Sequence, residues 1–332
     1  MNSLVTGAGG FIGSRLAHTL ISKGHSVKAL LMPGENGDAL ENAGAVIFRG
    51  DLTDPTTLEG IGKGVDTIFH LAARTSDWGS KKDFGRIMVG GTGHLLNATA
   101  DDISRFIYFS SVAALGLSRD LEGLDENAER VTCGIPYCDT KIVAEDLVKS
   151  YCTKHGIDYT IIRPTNVIGP GSVWVKDILD SFRRGTVPLI SGGNAPGAFI
   201  YVDNLVDGAV LAAESDIAKG KIYHFRDDYD ITWGEYIRRL GALIGKKPRG
   251  NIPFRAAWII GHALEFILTP CNIRPPMTRL AAGVLGKNLD INNSRSKREL
   301  HWESRVTLNE AMKAIEEWVR EHYISTIQGG PK

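Results

Sequence analysis

Two short segments of the sequence combine residue types and spacings that suit one kind of chemistry. Near the start, Thr6-Gly7-Ala8-Gly9-Gly10-Phe11-Ile12-Gly13 follows an apolar run and repeats glycine at every third position. Far downstream, Tyr137 and Lys141 are four residues apart, which places a phenol and an ammonium on one face of a helix. The first segment is typical of a cradle for a dinucleotide pyrophosphate, and a Tyr near a cation can move a proton. Together they predict transfer of a hydride and a proton between an alcohol and a ketone.

The glycine motif has the sequence context that a dinucleotide site requires. Gly7 suits a tight turn, Gly10 lets the backbone approach the pyrophosphate, and Gly13 allows close packing of the helix on the strand. An apolar strand precedes the motif and an amphipathic helix follows it, so the helix N-terminus faces the negative charge. We therefore predict cofactor contacts from Gly7, Gly10, Phe11, Ile12 and Gly13.

Further cofactor contacts are expected where later strands end. Asp51 and Leu52 follow the third predicted strand, and the Asp51 carboxylate is placed to accept a hydrogen bond from the adenine amino group. A turn cap is the alternative role for Asp51. The segment Leu71-Ala72-Ala73 ends the fourth strand and leaves room for a cofactor backbone, and Pro164 follows the sixth strand.

The identity of the nicotinamide cofactor depends on the end of the second strand. An acidic residue there would hold the ribose 2′-hydroxyl of NAD, whereas an Arg would favour the 2′-phosphate of NADP. That end reads Leu31-Met32-Pro33-Gly34 and contains neither. Arg49 and Lys28 are further phosphate partners that nothing in the sequence singles out. NAD and NADP both stay open, and the lack of an evident cation favours NAD.

The expected catalytic residues are Tyr137, Lys141 and a serine that follows the fifth strand. A Tyr with a pKa near 10 is a poor base at neutral pH, and we expect the Lys141 ammonium to lower that pKa. Ser110 and Ser111 follow the run Phe106–Phe109, where a hydroxyl can hydrogen-bond a substrate oxygen. Taken alone, the Tyr–Lys spacing also fits an ordinary surface helix turn. The glycine motif upstream favours the catalytic interpretation.

Alternating strand and helix patterns must position these residues. Short apolar runs alternate with helical periodicity through the first half, which predicts an α/β fold with a doubly wound parallel sheet. The predicted strands are Ser3–Val5, Ser26–Leu31, Ala45–Phe48, Thr67–His70, Phe106–Phe109 and Tyr159–Ile162, and the predicted helices start near Phe11, Asp38, Pro55, Asp83 and Tyr137. We expect residues 1–165 to form a Rossmann domain, with 199–225 returning to it, and 166–332 to form a smaller, mainly helical substrate-binding part.

Composition and charge narrow the class of protein. The 332 residues carry 38 Lys plus Arg and 38 Asp plus Glu, so no basic field indicates nucleic acid. The four cysteines show neither CxxC spacing nor a Cys/His ligand grouping, so we expect reduced thiols, a cytoplasmic location and no metal.

The apolar stretch 256–268 is too short to span a bilayer. We expect a packed helix there, with a wall for a lipophilic substrate or a peripheral membrane contact as alternatives.

Taken together, the motifs resemble those of the extended short-chain dehydrogenases/reductases. The matching segments, spread over nearly the whole chain, are TGAGGFIG, GDLTD, HLAA, FSSVAALG, YCDTK, RPTNVIGPG and FIYVDNLVDG. The resemblance implies a Rossmann fold, NAD or NADP as cofactor, and a proton relay through Tyr137 and Lys141. In that family the catalytic Ser lies five positions before the Gly that closes the strand-end motif, which implies Ser111 from Gly116. A homodimer that pairs the helices near 81–99 and 137–153 is a further expectation.

Two departures from the family pattern affect what the resemblance implies. Many relatives have an Asn that orders water near the Lys, whereas this chain has Met88 at that position. The stretch 197–204 lacks the Arg with which many sugar-nucleotide enzymes bind the substrate diphosphate. The missing Arg argues against a nucleotide-sugar substrate. Asn166 argues mildly for one, because this motif position often touches substrate phosphate in sugar enzymes.

The C-terminal segments bear on the substrate class. Four segments are similar to the branch of 3β-hydroxysteroid and sterol-4α-carboxylate dehydrogenases. They are Asp77-Trp78, Ile231-Thr232-Trp233-Gly234-Glu235, the apolar stretch around Trp258 and Arg274-Pro275-Pro276-Met277-Thr278. This branch also includes reductases of long-chain β-keto acids. We therefore expect an NAD(P)-dependent oxidoreductase acting on a hydrophobic sterol-like or β-keto/β-hydroxy acid substrate. An NDP-sugar epimerase or dehydratase with tightly bound NAD is the alternative.

Overall fold

Seven parallel strands form the main sheet of the computed structural model, which describes residues 1–324. The strands are β1 (Asn2–Thr6), β2 (Ser26–Leu31), β3 (Val46–Arg49), β4 (Thr67–His70), β5 (Arg105–Phe109), β6 (Asp158–Pro164), β7 (Asn166–Ile168), β8 (Leu189–Ile190), β9 (Phe199–Tyr201), β10 (Lys221–Phe225) and β11 (Asn251–Ile252). The order across the main sheet is β10-β6-β5-β4-β1-β2-β3. This order reverses direction between β1 and β4, where α/β sheets bind ligands. The predicted doubly wound Rossmann fold is confirmed.

The helices lie on both faces of this sheet and in the C-terminal part. They are α1 (Phe11–Ser22), α2 (Asp38–Asn42), α3 (Lys81–Phe84), α4 (Gly91–Thr99), α5 (Pro136–His155), α6 (Val173–Arg184), α7 (Val202–Glu214), α8 (Trp233–Leu243), α9 (Phe254–Leu268), α10 (Arg279–Gly286), α11 (Ser294–Leu300) and α12 (Leu308–Trp318). The long α5 begins at a Pro, which costs no hydrogen bond because the first N–H groups of a helix have no partner within it. The helix ends before Gly156, whose φ of 68° suits a glycine. None of the helices within residues 1–324 is long and apolar enough to cross a membrane.

Alternating side chains of the central strands pack into separate cores on the two faces. Leu4 and Phe106 belong to one buried cluster, whereas their neighbours Val5 and Ile107 belong to another. Successive residues of a strand point to opposite faces, so a parallel sheet covered on both sides reads as a continuous apolar run. This pattern explains why the strands of the main sheet before residue 165 are recognisable from the sequence.

The observed elements differ from the predicted ones mainly in short or irregular segments. Two predicted strands, Ser26–Leu31 and Thr67–His70, have the observed bounds, and the other four deviate by one or two residues. The helix expected near Pro55 is a 3₁₀-helix, Pro55–Leu58, and a π-helix, Gly85–Gly90, joins α3 to α4. The later strands are not predicted. Four of them, β7, β8, β9 and β11, contain only two or three residues, too few for a periodic pattern.

The strands that follow β6 are divided between the main sheet and two small sheets. β10 lies beside β6 at the edge of the main sheet, while β7 pairs with β9 and β8 pairs with β11 in two small sheets. The division of the chain into two domains at residue 165 stays a prediction.

Candidate active site

Ser111, Tyr137 and Lys141 meet at the carboxyl end of β5. The Ser111 hydroxyl accepts a hydrogen bond from the Ala113 backbone N–H at 3.1 Å and is close enough to the Tyr137 phenol to act on its pKa. The Lys141 ammonium donates to the Phe109 carbonyl at 2.7 Å, and its nitrogen lies 5.9 Å from the centre of the Tyr137 ring. The structure thus brings the three predicted catalytic side chains together, with β5 holding one and α5 the other two.

Burial controls the protonation of the two α5 residues. It raises the pKa of Tyr137 to about 12, although the hydrogen bond with Ser111 acts in the opposite direction. It lowers the pKa of Lys141 to about 8, while the nearby Glu145 carboxylate acts to raise it. The expectation that Lys141 lowers the pKa of Tyr137 is therefore wrong for this structure, because desolvation of the phenolate dominates. Tyr137 carries its proton at neutral pH and is suited to act as an acid.

A buried ion pair lies one helical turn beyond Lys141. Glu145 follows Lys141 by one helical turn and is completely buried, as is the side chain of Arg163 on β6. Arg163 donates to both Glu145 carboxylate oxygens at 2.8 and 2.7 Å, and the Ser110 hydroxyl donates to one of them at 2.5 Å. Burial raises the pKa of Glu145, but the bonds from Arg163 and Ser110 outweigh this effect and hold it below its usual value. This pair is not predicted from the sequence, although the four-residue spacing from Lys141 indicates a shared helix face.

A second buried group supports the turn between β1 and the cofactor crevice. The His70 ring is bonded to the Thr6 hydroxyl at 2.7 Å and to the Thr92 hydroxyl at 2.9 Å. The Thr6 hydroxyl also accepts the backbone N–H groups of Leu71 and Ala72, at 3.2 and 3.1 Å. Burial lowers the pKa of His70 to about 3, so the ring is neutral at physiological pH. The network fixes the backbone of the predicted HLAA contact segment beside the glycine motif.

Two glycines of the first motif, Gly7 and Gly13, occupy positions where a Cβ would clash with the backbone. Gly7 has a φ of 67°, and a Cβ on it would lie 2.9 Å from the Ala72 nitrogen. A Cβ on Gly13 would lie 2.1 Å from the Gly7 carbonyl oxygen. Gly10 donates to that same oxygen at 2.9 Å and immediately precedes α1. The backbone therefore has the close turn and the open helix N-terminus that fit a dinucleotide pyrophosphate.

The other predicted cofactor contacts lie at the same edge of the sheet. Phe11 and Ile12 form the first turn of α1, Leu52 follows β3, Ala73 follows β4, and Pro164 is the last residue of β6.

Asp51 has a defined structural role at the end of β3. One of its carboxylate oxygens accepts the Thr53 N–H at 2.8 Å, which is the turn role weighed as the alternative. Its contact with the adenine amino group stays a prediction.

The structure places two charged groups near the end of β2 that the sequence does not single out. The Glu35 carboxylate accepts the Met32 N–H at 2.9 Å and lies 3.4 Å from where a Cβ on Gly9 would stand. Arg49 donates to the Met32 and Glu35 carbonyl groups, at 3.2 and 2.5 Å. Glu35 is four residues beyond the end of the strand, so only the fold of the loop brings it to the glycine motif. A carboxylate for ribose hydroxyls and a guanidinium for phosphate thus lie close together.

A cavity of about 180 Å³ lies beside Tyr137. Its walls come from the loop after β4, the start of α5, helix α9 and the start of α10. The lining residues are Asp77, Trp78, Gly79, Phe84, Ile135, Pro136, Tyr137, His262, Glu265, Phe266, Thr269 and Arg279. The expectation that the stretch 256–268 is a helix packed into the protein holds for one side only, because just Ala257 and Gly261 of α9 are buried. The cavity is walled by aromatic rings and by a few charged groups, which suits a largely apolar ligand with a polar end.

Met88 and Asn166 both have local structural roles. Met88 is buried in the π-helix, and its carbonyl accepts the Thr92 hydroxyl at 2.6 Å. The buried Asn166 side chain donates to the Gly197 carbonyl at 2.8 Å and so ties β7 to the segment before β9. This bond accounts for Asn166 without a substrate phosphate.

The match to a family model extends over most of the chain. The NAD dependent epimerase/dehydratase family model matches residues 3–225, and the chain belongs to this family. The extended short-chain dehydrogenase/reductase type predicted from the motifs is confirmed, as is an NAD-type dinucleotide as the cofactor. The protein is an NAD(P)-dependent oxidoreductase.

Several characterised relatives match the chain over nearly their full length. A 4-hydroxy-2-methyl-3-oxo-4-farnesyl-3,4-dihydroquinoline-1-oxide ketoreductase from Stigmatella aurantiaca is 32% identical, covering 95% of this chain and 96% of the relative. A 2-alkyl-3-oxoalkanoate reductase from Stenotrophomonas maltophilia is 29% identical, with 95% and 98% covered. A 3-beta-hydroxysteroid dehydrogenase from Mycolicibacterium neoaurum is 28% identical, with 93% and 88% covered. Similarity to the predicted steroid dehydrogenase branch is therefore confirmed. The crystal structure of gox2253, 27% identical, superimposes with a TM-score of 0.78 over 97% of this chain and 98% of that one.

Proposed function

We propose that the protein reduces the ketone of a hydrophobic substrate to a secondary alcohol, with Ser111, Tyr137 and Lys141 as its catalytic residues. The main support is the position of Ser111 beside a protonated Tyr137 at the wall of an aromatic cavity. Two of the relatives are named as reductases of 3-oxo compounds that carry alkyl or farnesyl chains. The same groups would run the reverse oxidation, for which Tyr137 must first lose its proton.

Each side chain has a defined task in ketone reduction. When bound, the nicotinamide dinucleotide supplies the hydride, and the glycine motif with the first turn of α1 would hold its pyrophosphate. Tyr137 gives its phenolic proton to the oxygen that gains negative charge, while Ser111 donates a hydrogen bond to the same oxygen. Lys141 stabilises the resulting tyrosinate by its positive charge. The Phe109 carbonyl, 2.7 Å from the ammonium, keeps that charge in place.

Removing the phenolic hydroxyl tests this proposal. We expect Tyr137→Phe to lower the consumption of NAD(P)H with a 2-alkyl-3-oxo acid or a 3-ketosteroid by about 10²–10⁴-fold, because the proton donor is lost. Tyr151→Phe is the matched control, since that ring lies on the same helix, stacked on His155 and away from the cavity. Near-normal turnover by Tyr137→Phe would contradict the mechanism. Tightly copurifying cofactor without net NAD(P)H consumption would instead favour the NDP-sugar epimerase or dehydratase alternative.

We also propose that α9 makes a peripheral contact with a lipid surface. Large exposed hydrophobic side chains cluster on α9 and just after it, namely Ile259, Ile260, Phe266, Ile267 and Ile273. Phe266 is 78% exposed and also lines the cavity, so a lipophilic substrate would move from the bilayer to the cavity with little exposure to water. On this proposal the protein works at the cytoplasmic side of a membrane, where its four thiols stay reduced.

Sedimentation with phosphatidylcholine–phosphatidylglycerol vesicles tests the lipid contact. We expect the double variant Phe266→Asp/Ile267→Asp to lower the vesicle-bound fraction at least tenfold, since charged groups do not enter the acyl region. Ile217→Asp, at an exposed apolar position outside α9, is the control and should bind like the parent. Equal binding by all three proteins would contradict the contact.

A homodimer through α4 and α5 is the last part of the proposal. Val143 on α5 is half exposed, and a two-fold axis would place this helix against its copy. We expect Val143→Arg to convert the dimer to a monomer in sedimentation velocity. A monomeric parent protein would contradict it.

A further inference from the structure

One ion pair in the cavity wall connects α9 to α10. The Arg279 guanidinium contacts a single Glu265 carboxylate oxygen through Nε at 2.8 Å and through Nη2 at 2.7 Å. The second Glu265 oxygen accepts the Arg279 backbone N–H at 2.6 Å. The two side chains are only 14% and 12% exposed, and both line the cavity that contains Tyr137. The pair is thus a fixed part of the substrate wall.

Glu265 uses only one edge of the guanidinium. Nη1 has no hydrogen-bond partner among residues 1–324, and it lies 3.5 Å from where a Cβ on Gly134 would stand. Gly134 directly precedes the cavity-lining residues Ile135, Pro136 and Tyr137, so Nη1 lies beside this part of the cavity wall. A guanidinium is a planar fork that can take a second carboxylate on the edge formed by Nη1 and Nη2.

The carboxylates in the cavity wall are already bonded to other groups, so the Nη1–Nη2 edge of Arg279 is available to bind an anion. Asp77, the other carboxylate in the wall, is already bonded to Arg274 and to the Thr278 hydroxyl, both at 3.2 Å. Glu265 is saturated by three N–H groups of Arg279. An anionic group entering the cavity therefore meets the open donors of Arg279 and two carboxylates that already accept hydrogen bonds.

We propose that Arg279 binds the carboxylate of a keto acid, and that Glu265 holds the guanidinium in position for it. This inference rests on the proposed ketone reduction and assigns its substrate to the 3-oxo acids rather than to neutral sterols. A neutral substrate would cover the open edge with apolar atoms and leave its N–H groups unpaired, which weakens binding roughly tenfold or more. A carboxylate satisfies the same donors with two charge-assisted hydrogen bonds.

The test compares an acid with its own ester. The protein with NAD(P)⁺ is assayed with a 2-alkyl-3-hydroxyalkanoate and with the methyl ester of the same compound, which differ only in the charged group. We expect the parent to favour the acid by about tenfold or more in kcat/KM. Arg279→Gln should lose this preference, mainly because the KM of the acid rises.

Matched variants separate direct contact from general electrostatics. Loss of Arg279 leaves the Glu265 carboxylate unpaired, and its charge would repel the acid. The double variant Glu265→Gln/Arg279→Gln removes this repulsion, so its preference for the acid reports only the loss of the guanidinium. Glu265→Gln alone keeps the open edge and should keep the preference for the acid. Arg255→Gln removes one exposed charge from α9 and should leave the preference unchanged. Equal use of acid and ester by the parent, or an unchanged preference in the double variant, overturns the proposal.

A binding measurement gives an answer even without turnover. Trp78 lines the cavity, so its fluorescence reports the binding of a long-chain carboxylate and of its methyl ester. Tighter binding of the carboxylate to the parent, abolished by Arg279→Gln, supports Arg279 even if neither hydroxy compound is oxidised. In that case the proposed reaction fails and the carboxylate site does not. Equal binding of both probes to the parent overturns the carboxylate site.

Discussion

Lys141, a catalytic residue in the proposed mechanism, lies in an environment that opposes its charge. Its side chain is 3% exposed at the carboxyl end of β5, and burial lowers its pKa from 10.5 to about 8. At neutral pH the folded protein must therefore keep an ammonium where a neutral group would be favoured. Replacing Lys141 by Met, which has a similar length and no charge, should remove the activity and raise the stability.

The gain in stability follows from two opposing effects. A pKa lowered from 10.5 to about 8 corresponds to about 3 kcal/mol of unfavourable free energy at neutral pH. Met also leaves the Phe109 carbonyl without its 2.7 Å hydrogen bond, which costs about 1–2 kcal/mol. We expect Lys141→Met to increase the free energy of unfolding by about 1–2 kcal/mol at pH 7.

The pH dependence gives the prediction a definite sign. Because the folded pKa of Lys141 lies below the unfolded one, the cost of the charge is present in full below about pH 8. Between about pH 8 and 10.5 Lys141 loses its proton in the folded protein but keeps it in the unfolded chain. The cost of burying the charge therefore disappears, and the free energy of unfolding of the parent increases as the pH rises. The advantage of Lys141→Met should shrink through this range.

Urea unfolding followed by tryptophan fluorescence, at pH 7 and at pH 10, measures both effects. Turnover of Lys141→Met should fall by about 10²-fold or more. Lys154→Met, at an exposed position near the end of α5, should change stability by less than about 1 kcal/mol at either pH. A Lys141→Met protein that is less stable than the parent at pH 7, or whose difference grows with pH, would refute the reasoning.

Three further outcomes follow from individual side chains. Ser111→Ala should lower kcat by about 10²-fold with little change in KM, because the hydroxyl acts on the oxygen that gains charge. Glu145→Ala should lower the free energy of unfolding by about 3–5 kcal/mol in urea titrations, since it strands a buried guanidinium, whereas the exposed Asp146→Asn should lower it by less than about 1 kcal/mol. A hydrogen bond from a neighbouring thiol lowers the pKa of Cys133 to about 7 and burial raises that of Cys152 to about 12, so iodoacetamide at neutral pH should label Cys133 and spare Cys152 in peptide mass spectra. Equal labelling of the two thiols would contradict this.

Features that depend on local spacing are predictable from the sequence. The glycine motif, the first six strands and the four-residue spacing of Tyr137 and Lys141 each lie within one strand, turn or helix, where periodicity carries the information. The later strands escape prediction because most contain only two or three residues. Ser111 is assigned by its place in a family motif, and the structure puts it close enough to Tyr137 to act on the pKa of the phenol.

The sequence by itself determines the first six strands, the helical segments between them and the residue types that end those strands, because backbone propensity and side-chain periodicity act over a few neighbours. Only the tertiary structure decides that Tyr137 has a raised pKa, that Glu145 pairs with Arg163, and that Arg279 keeps one edge open in the cavity wall. These properties depend on desolvation and on contacts between segments far apart in the chain. Both exist only after the helices and strands have packed.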